Sequence, residues 1–271
     1  ALGAAHPDTL LTMNNLANVL QQQGDLAAAR AMYERTLEAQ ESALGAAHPS
    51  TLLTMGNLAD VLQNQGDLAA ARKMNERTLA GFESALGAAH PDTLGTMNNL
   101  ALVLMQQGEH AEARNRFSQV LQGLEQALGA AHPNTLGTLA NRGEAQRRMG
   151  EAAAAEADLR RALAGLQTVG GGRHQLTLYA VATLSLVLVQ QGRAEEAAAV
   201  YADALQGEPL GRRVRVTRGR RFIRAAGLTP SQRPSAPGKQ AALGKEAVST
   251  RWPASWLQAR SRASRSSNVG C

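Results

Sequence analysis

Residues 1–42 read ALGAAHPDTLLTMNNLANVLQQQGDLAAARAMYERTLEAQES, and their opening block Ala-Leu-Gly-Ala-Ala-His-Pro returns at Ala43, Ala85 and Ala127. The period is 42 residues. His6, His48, His90, His132 and His174 fall on it, as do Thr9, Thr51, Thr93, Thr135 and Thr177 and Gly24, Gly66, Gly108, Gly150 and Gly192. Self-similarity at a fixed spacing of this length marks a stacked repeat array.

Inside the first unit, Leu10, Met13, Leu16, Ala17 and Leu20 follow three-and-four spacing, which puts an apolar stripe on one face of a helix starting near Pro7. Proline suits the first helical turn because its missing N–H would be unpaired there, and Asp8 favours the positive end of the helix dipole. Gly24 ends this helix A. Asp25 can cap a helix B through Leu26, Ala29, Tyr33 and Leu37 to about Leu44, where Gly45 stops it. Each unit is therefore a helical hairpin. A lone hairpin has nothing to bury its stripe against, so the units stack, and the predicted fold is all-α: a right-handed α-solenoid with a groove along its helix A face.

The order Met13, Leu16, Ala17, Leu20, Gly24, Ala29, Tyr33 resembles the tetratricopeptide (TPR) pattern, and the 42-residue unit opening His-Pro-Asp and continuing Thr-Met-Asn-Asn-Leu-Ala resembles the repeats of kinesin light chain. The likeness runs over residues 1–207, with units near 6–44, 48–86, 90–128, 132–168 and 174–206. The last unit has lost its Pro and Asp, as terminal repeats do. Because Ala1, Leu2 and Gly3 match Ala43, Leu44 and Gly45, the chain opens at the end of a helix B, which points to a piece of a longer array.

On a hairpin of this family, helix A lines the concave surface. The positions facing it are Leu11, Asn14, Asn18, Gln21 and Gln22, then Leu53, Gly56, Asp60, Gln63 and Asn64, then Gly95, Asn98, Leu102, Met105 and Gln106. Beside the core stripe stand Asn15, Asn57, Asn99 and Asn141, with Thr183 in the fifth unit. An asparagine side chain donates and accepts, so a ladder of them suits the amides of an extended peptide. The resemblance implies that role; the alternative is that they bridge neighbouring helices or hold water. In the fourth unit Arg147 and Arg148 would favour ligand carboxylates through their forked donors, or else form a solvated pair. The expected partner is a protein or peptide in an extended, preferably acidic, segment. Arg142 and Gln146 stand where the first three units have core Leu, so that unit is expected to be loose or its helix A rotated. Leu178–Val189 is apolar on nearly every face and expects cover from this chain, a partner or a second copy.

The period stops after Leu205. Residues 1–207 carry a net charge of −6 and residues 208–271 one of +12, the latter rich in Arg, Ser, Ala, Gly and Pro, which predicts a disordered basic tail. Arg212, Arg213, Arg215, Arg218, Arg220 and Arg221 could bind nucleic acid or another polyanion. Composition of this kind also arises when translation runs past an exon or shifts frame, and a third reading folds the tail onto the acidic array. Catalysis within the chain is not expected. The repeated histidines are too far apart in a stack to share a metal, no nucleophile motif occurs, and no cofactor is implied. A regulatory portion of a larger enzyme remains an alternative role. No run reaches the roughly 18 apolar residues of a membrane span. The one cysteine, Cys271, makes no internal disulfide, and no signal peptide is seen, so the expected compartment is the cytoplasm.

Overall fold

A computed structural model describes Gly3, residues 6–170 and residues 175–204. The basic stretch with Arg212, Arg213, Arg215, Arg218, Arg220 and Arg221 lies outside the described residues. Those described are helical and joined by short turns: α1 Pro7–Gln22, α2 Leu26–Leu44, α3 Pro49–Gln65, α4 Leu68–Leu86, α5 Pro91–Gln107, α6 His110–Leu128, α7 Pro133–Arg148, α8 Ala152–Gly170, α9 Gln175–Gln190 and α10 Ala194–Ala204. They fall into two compact units, the first running to Arg116 and the second starting at Phe117.

The repeated block explains each helix start. His6 is the N-cap of α1, its Nδ1 accepting the Asp8 N–H at 3.2 Å with Pro7 in the first turn. His48, His90 and His132 do the same for Ser50, Asp92 and Asn134. The acceptor must be an unprotonated ring nitrogen, so these imidazoles serve as neutral caps. The periodic threonine closes the preceding loop: Thr51, Thr93 and Thr135 donate to the carbonyls of Gly45, Gly87 and Gly129 at 2.8–2.9 Å. Gly66 turns the chain out of α3 at φ +83°, a left-handed conformation that a side chain would strain. Asp25 and Asp67 then cap α2 and α4.

In the first unit, α1 packs on α2, α2 on α3, α3 on α4 and α4 on α5. The core gathers Ala17, Ala29, Tyr33, Leu37, Leu52, Met55, Leu58, Val61, Leu62, Ala71, Phe82 and Val103. The small residues Ala17, Ala29, Ala59 and Ala71 have no exposed surface, which lets the helices approach closely. In the second unit, α7 packs on α8, α8 on α9, and α9 on α7 and α10. These contacts cover much of apolar α9, although Leu178 stays exposed.

The fourth hairpin is neither loose nor rotated. Helix α7 is continuous, with Leu136, Leu139 and Ala140 in the core. Arg142, in the register of Leu16, Leu58 and Leu100, pairs through Nε and Nη2 with both oxygens of Asp158 at 2.7 and 2.9 Å. Asp158 itself stands where the first two units have Met32 and Met74. Where the first two hairpins carry a leucine and a methionine, the fourth carries a forked ion pair.

Candidate functional site

The helix A faces bring some of the predicted residues together and separate others. In the first unit, Asn14 is buried, and its Oδ1 accepts from Thr54 Oγ1 at 3.2 Å and from Asn57 Nδ2 at 3.3 Å. Asn57, 6% exposed, thus links α3 to α1. Asn18 accepts the Tyr33 hydroxyl at 2.6 Å. Asn15 is exposed, Asn98 is buried, and Asn99 is partly exposed with its Oδ1 lacking a hydrogen-bond partner. The four ladder positions are therefore not equivalent in their surroundings: Asn57 bridges helices, Asn15 is exposed, Asn141 is buried, and Asn99 keeps a free acceptor.

Asn57 and Asn99 both line a cleft formed by α3, α4 and α5, together with Asp60, Asn75, Asp92 and Gly56. Asn75 was not among the expected site residues. Its signal lay in the repeat register, where the first, third and fifth units carry Tyr33, Phe117 and Tyr201 and the second carries an amide. Burial, and after it the charge of Asp60, pushes the Tyr33 phenol above its ordinary range, so the hydroxyl that Asn18 accepts stays protonated.

In the second unit, Asn141 is buried. Arg147 grips Glu144 with two bonds of 2.6 and 2.8 Å, and Arg148 Nε reaches the same carboxylate at 2.6 Å. Burial works to raise the Glu144 carboxyl, and the two guanidinium groups outweigh it and hold the acid below its ordinary range. The triplet carries one net positive charge rather than two. Arg148 is the more exposed of the two arginines. Sequence reasoning offered Arg147 and Arg148 to a ligand or to solvent and did not anticipate that Glu144 would occupy both guanidinium groups.

Among the described residues, no helix is long and apolar enough to cross a membrane, and no group of His, Cys, Asp and Glu has the geometry to hold a metal ion.

The tetratricopeptide repeat family profile matches residues 8–84 and 92–168, and a second profile of the same repeat matches residues 178–203. Comparison with curated proteins gives no match. Among solved structures, the kinesin-light-chain-type, nearly identical TPR-like repeats of Podosopora anserina are similar in two forms. A form carrying a single glutamine-to-methionine substitution is 24% identical with a TM-score of 0.65, covering 80% of this chain and 98% of that one. The other is 25% identical with a TM-score of 0.63, covering 73% and 94%. The Rap protein complexed with Competence and Sporulation Factor shares the fold at 14% identity and a TM-score of 0.59, over 79% of this chain and 63% of that one. The capped hairpins, their 42-residue period and the profile matches together make this chain a member of the tetratricopeptide repeat family, with repeats like those of kinesin light chain.

Proposed function

We propose that this chain is a non-catalytic interaction scaffold that holds an extended segment of a partner protein on its helix A faces, in the first unit across the cleft between α3 and α5. The observation that carries the reading is Asn99, whose Oδ1 is buried without a hydrogen-bond partner while the residue keeps exposed surface at that cleft. Buried polar atoms are rarely left unpaired, and a peptide N–H supplies the missing donor. Exposed Asn15 adds a further amide to the helix A face. In the second unit, Arg148 offers guanidinium surface to a ligand carboxylate beside its Glu144 contact, which supports a preference for acidic side chains there. That Rap, which shares the fold, is complexed with Competence and Sporulation Factor supports extending a binding role to this chain.

Asn99 is a cleaner probe than Asn57, whose removal would also break the bridge to Asn14. The full chain and its Asn99→Ala variant are used to capture proteins from a matched, nuclease-treated lysate across a salt series. The expected result is one protein retained by the parent and released several-fold more readily by Asn99→Ala, with unchanged thermal unfolding. Equal retention by the variant, or binding that nuclease alone abolishes, overturns the reading.

A further inference from the structure

Where α3 follows α2, α5 follows α4 and α9 follows α8, a helix A is laid on the hairpin before it. Leu58 and Val61 of α3 are 3% and 0% exposed at such a joint, and their counterparts on α5 and α9 are buried too. Two polar clasps recur beside them in the first unit. Gln65 and Gln107 donate through Nε2 to the carbonyls of Leu26 and Leu68, the first residues of α2 and α4, at 3.1 and 3.4 Å. Arg30 and Arg72 reach Asp67 and Glu109 at 4.0 and 2.7 Å. Helix α1 and the turn after it carry the receiving half of this joint in the same register: Leu16 and Val19, each 46% exposed, with Gln23 and Asp25, exposed as well. The fifth hairpin carries the other half. Tyr201 keeps exposed surface where Tyr33, in the same register, is fully buried, and Ala194 opens α10 as Leu26 opens α2.

We propose that the α1 face is an assembly surface for a second copy of this chain, whose fifth hairpin stacks against it as the hairpins within one chain stack on each other. The contact continues an interface the molecule already uses. It covers Leu16 and Val19 with the open side of α10 around Tyr201, and it brings the Ala194 carbonyl to the Gln23 side chain, the partner that Leu26 gives Gln65. The two faces differ and every copy has one of each, so the association is heterologous, head to tail. It lacks one element of the internal joints. Ala198 of α10 stands in the register of Arg30 and Arg72, so no arginine reaches Asp25 across the contact. A single hairpin face without a tether belongs at the small end of specific interfaces, which sets a Kd on the order of 100 µM. At the low micromolar concentration of an unfolding assay the α1 face therefore stays open.

The test is sedimentation velocity of the full chain from about 5 to about 500 µM, a range that brackets the expected Kd. The parent chain should pass from monomer to larger species as concentration rises. Leu16→Asp should weaken this at least about tenfold while leaving the circular dichroism unchanged, because it puts a charge where an apolar side chain would be covered. Tyr201→Asp should do the same from the other side. An equimolar mixture of the two variants should form pairs and nothing larger, since each supplies the face that the other lacks. Ala198→Arg should tighten association about 1.5- to 5-fold by pairing with Asp25, and Ala198→Glu should loosen it by about as much. Asp25→Asn, which still caps α2, should erase both effects. These last variants act on the surface of α10 and hold the proposal to account even if Tyr201→Asp unsettles the fifth hairpin. A monomer at every concentration, association that survives Leu16→Asp, or Ala198→Arg and Ala198→Glu acting alike would overturn it. Association lost in Leu16→Asp but kept in Tyr201→Asp would mean that α1 pairs with another α1, and would overturn the head-to-tail contact as well.

Discussion

The first and second hairpins are written in almost the same letters and differ in what their surroundings do with them. Leu16 on α1 is 46% exposed, whereas Leu58, its counterpart on α3, is 3% exposed. Val19 and Val61 show the same contrast. The stripe is one face in both helices, but α3 has α2 packed against it and stands behind α1, while α1 has no preceding hairpin among the described residues. Inside the hairpins the contrast reverses. Tyr33 fills its place and bonds Asn18, whereas Asn75 is buried with both ends of its amide lacking a hydrogen-bond partner. Position in a stack decides the worth of an apolar residue, and a single change of residue decides whether a buried position is paired.

Breaking the comparison at its strongest point means writing the second hairpin's residue into the first. Tyr33→Asn should cost about 3–5 kcal/mol, the range for deleting a buried aromatic, and urea unfolding followed by circular dichroism would measure it. Next, Leu58→Ala should cost about 2–5 kcal/mol and Leu16→Ala less than about 1 kcal/mol in the same assay, because only the first opens a hole in a packed core. Equal costs would mean that α1 is covered in solution.

In the opposite direction, Asn75→Leu should stabilise the chain by about 1–2 kcal/mol, since it removes two unpaired buried polar atoms. A loss of stability would show that water already completes that amide. The smallest effect concerns the shared caps. Burial holds the His132 imidazole below its ordinary value, so as the pH falls below about 6.5 the unfolded chain takes up its proton first. The stabilisation is complete above that pH and is lost as the pH falls through the lower, folded value. The melting temperature should therefore drop between about pH 7.5 and pH 5.5, and less so in His132→Asn, whose amide can cap the helix without titrating.

Much of the fold was legible because repetition makes local signals redundant. His-Pro starts, Gly stops and three-and-four spacing recur in register, and the same caps and turns appear at His6, His48, His90 and His132. The site was less legible. A row of asparagines reads alike in four successive units, yet Asn57 spends its amide on Asn14 while Asn99 leaves an acceptor free. Arg147 and Arg148 read as two charges, but Glu144 pairs with both. The Arg142 substitution read as a defect because its partner Asp158 lies in another helix, 16 residues on.

By itself the sequence determined the helical hairpin, its 42-residue unit and its caps, all of which depend on residues a few positions apart. Tertiary structure alone decided which polar side chains pair with one another and which buried amide atoms are left without a partner. That choice depends on distances between helices that no local spacing encodes, and on whether a neighbour is long enough to fill the space, as Tyr33 is and Asn75 is not.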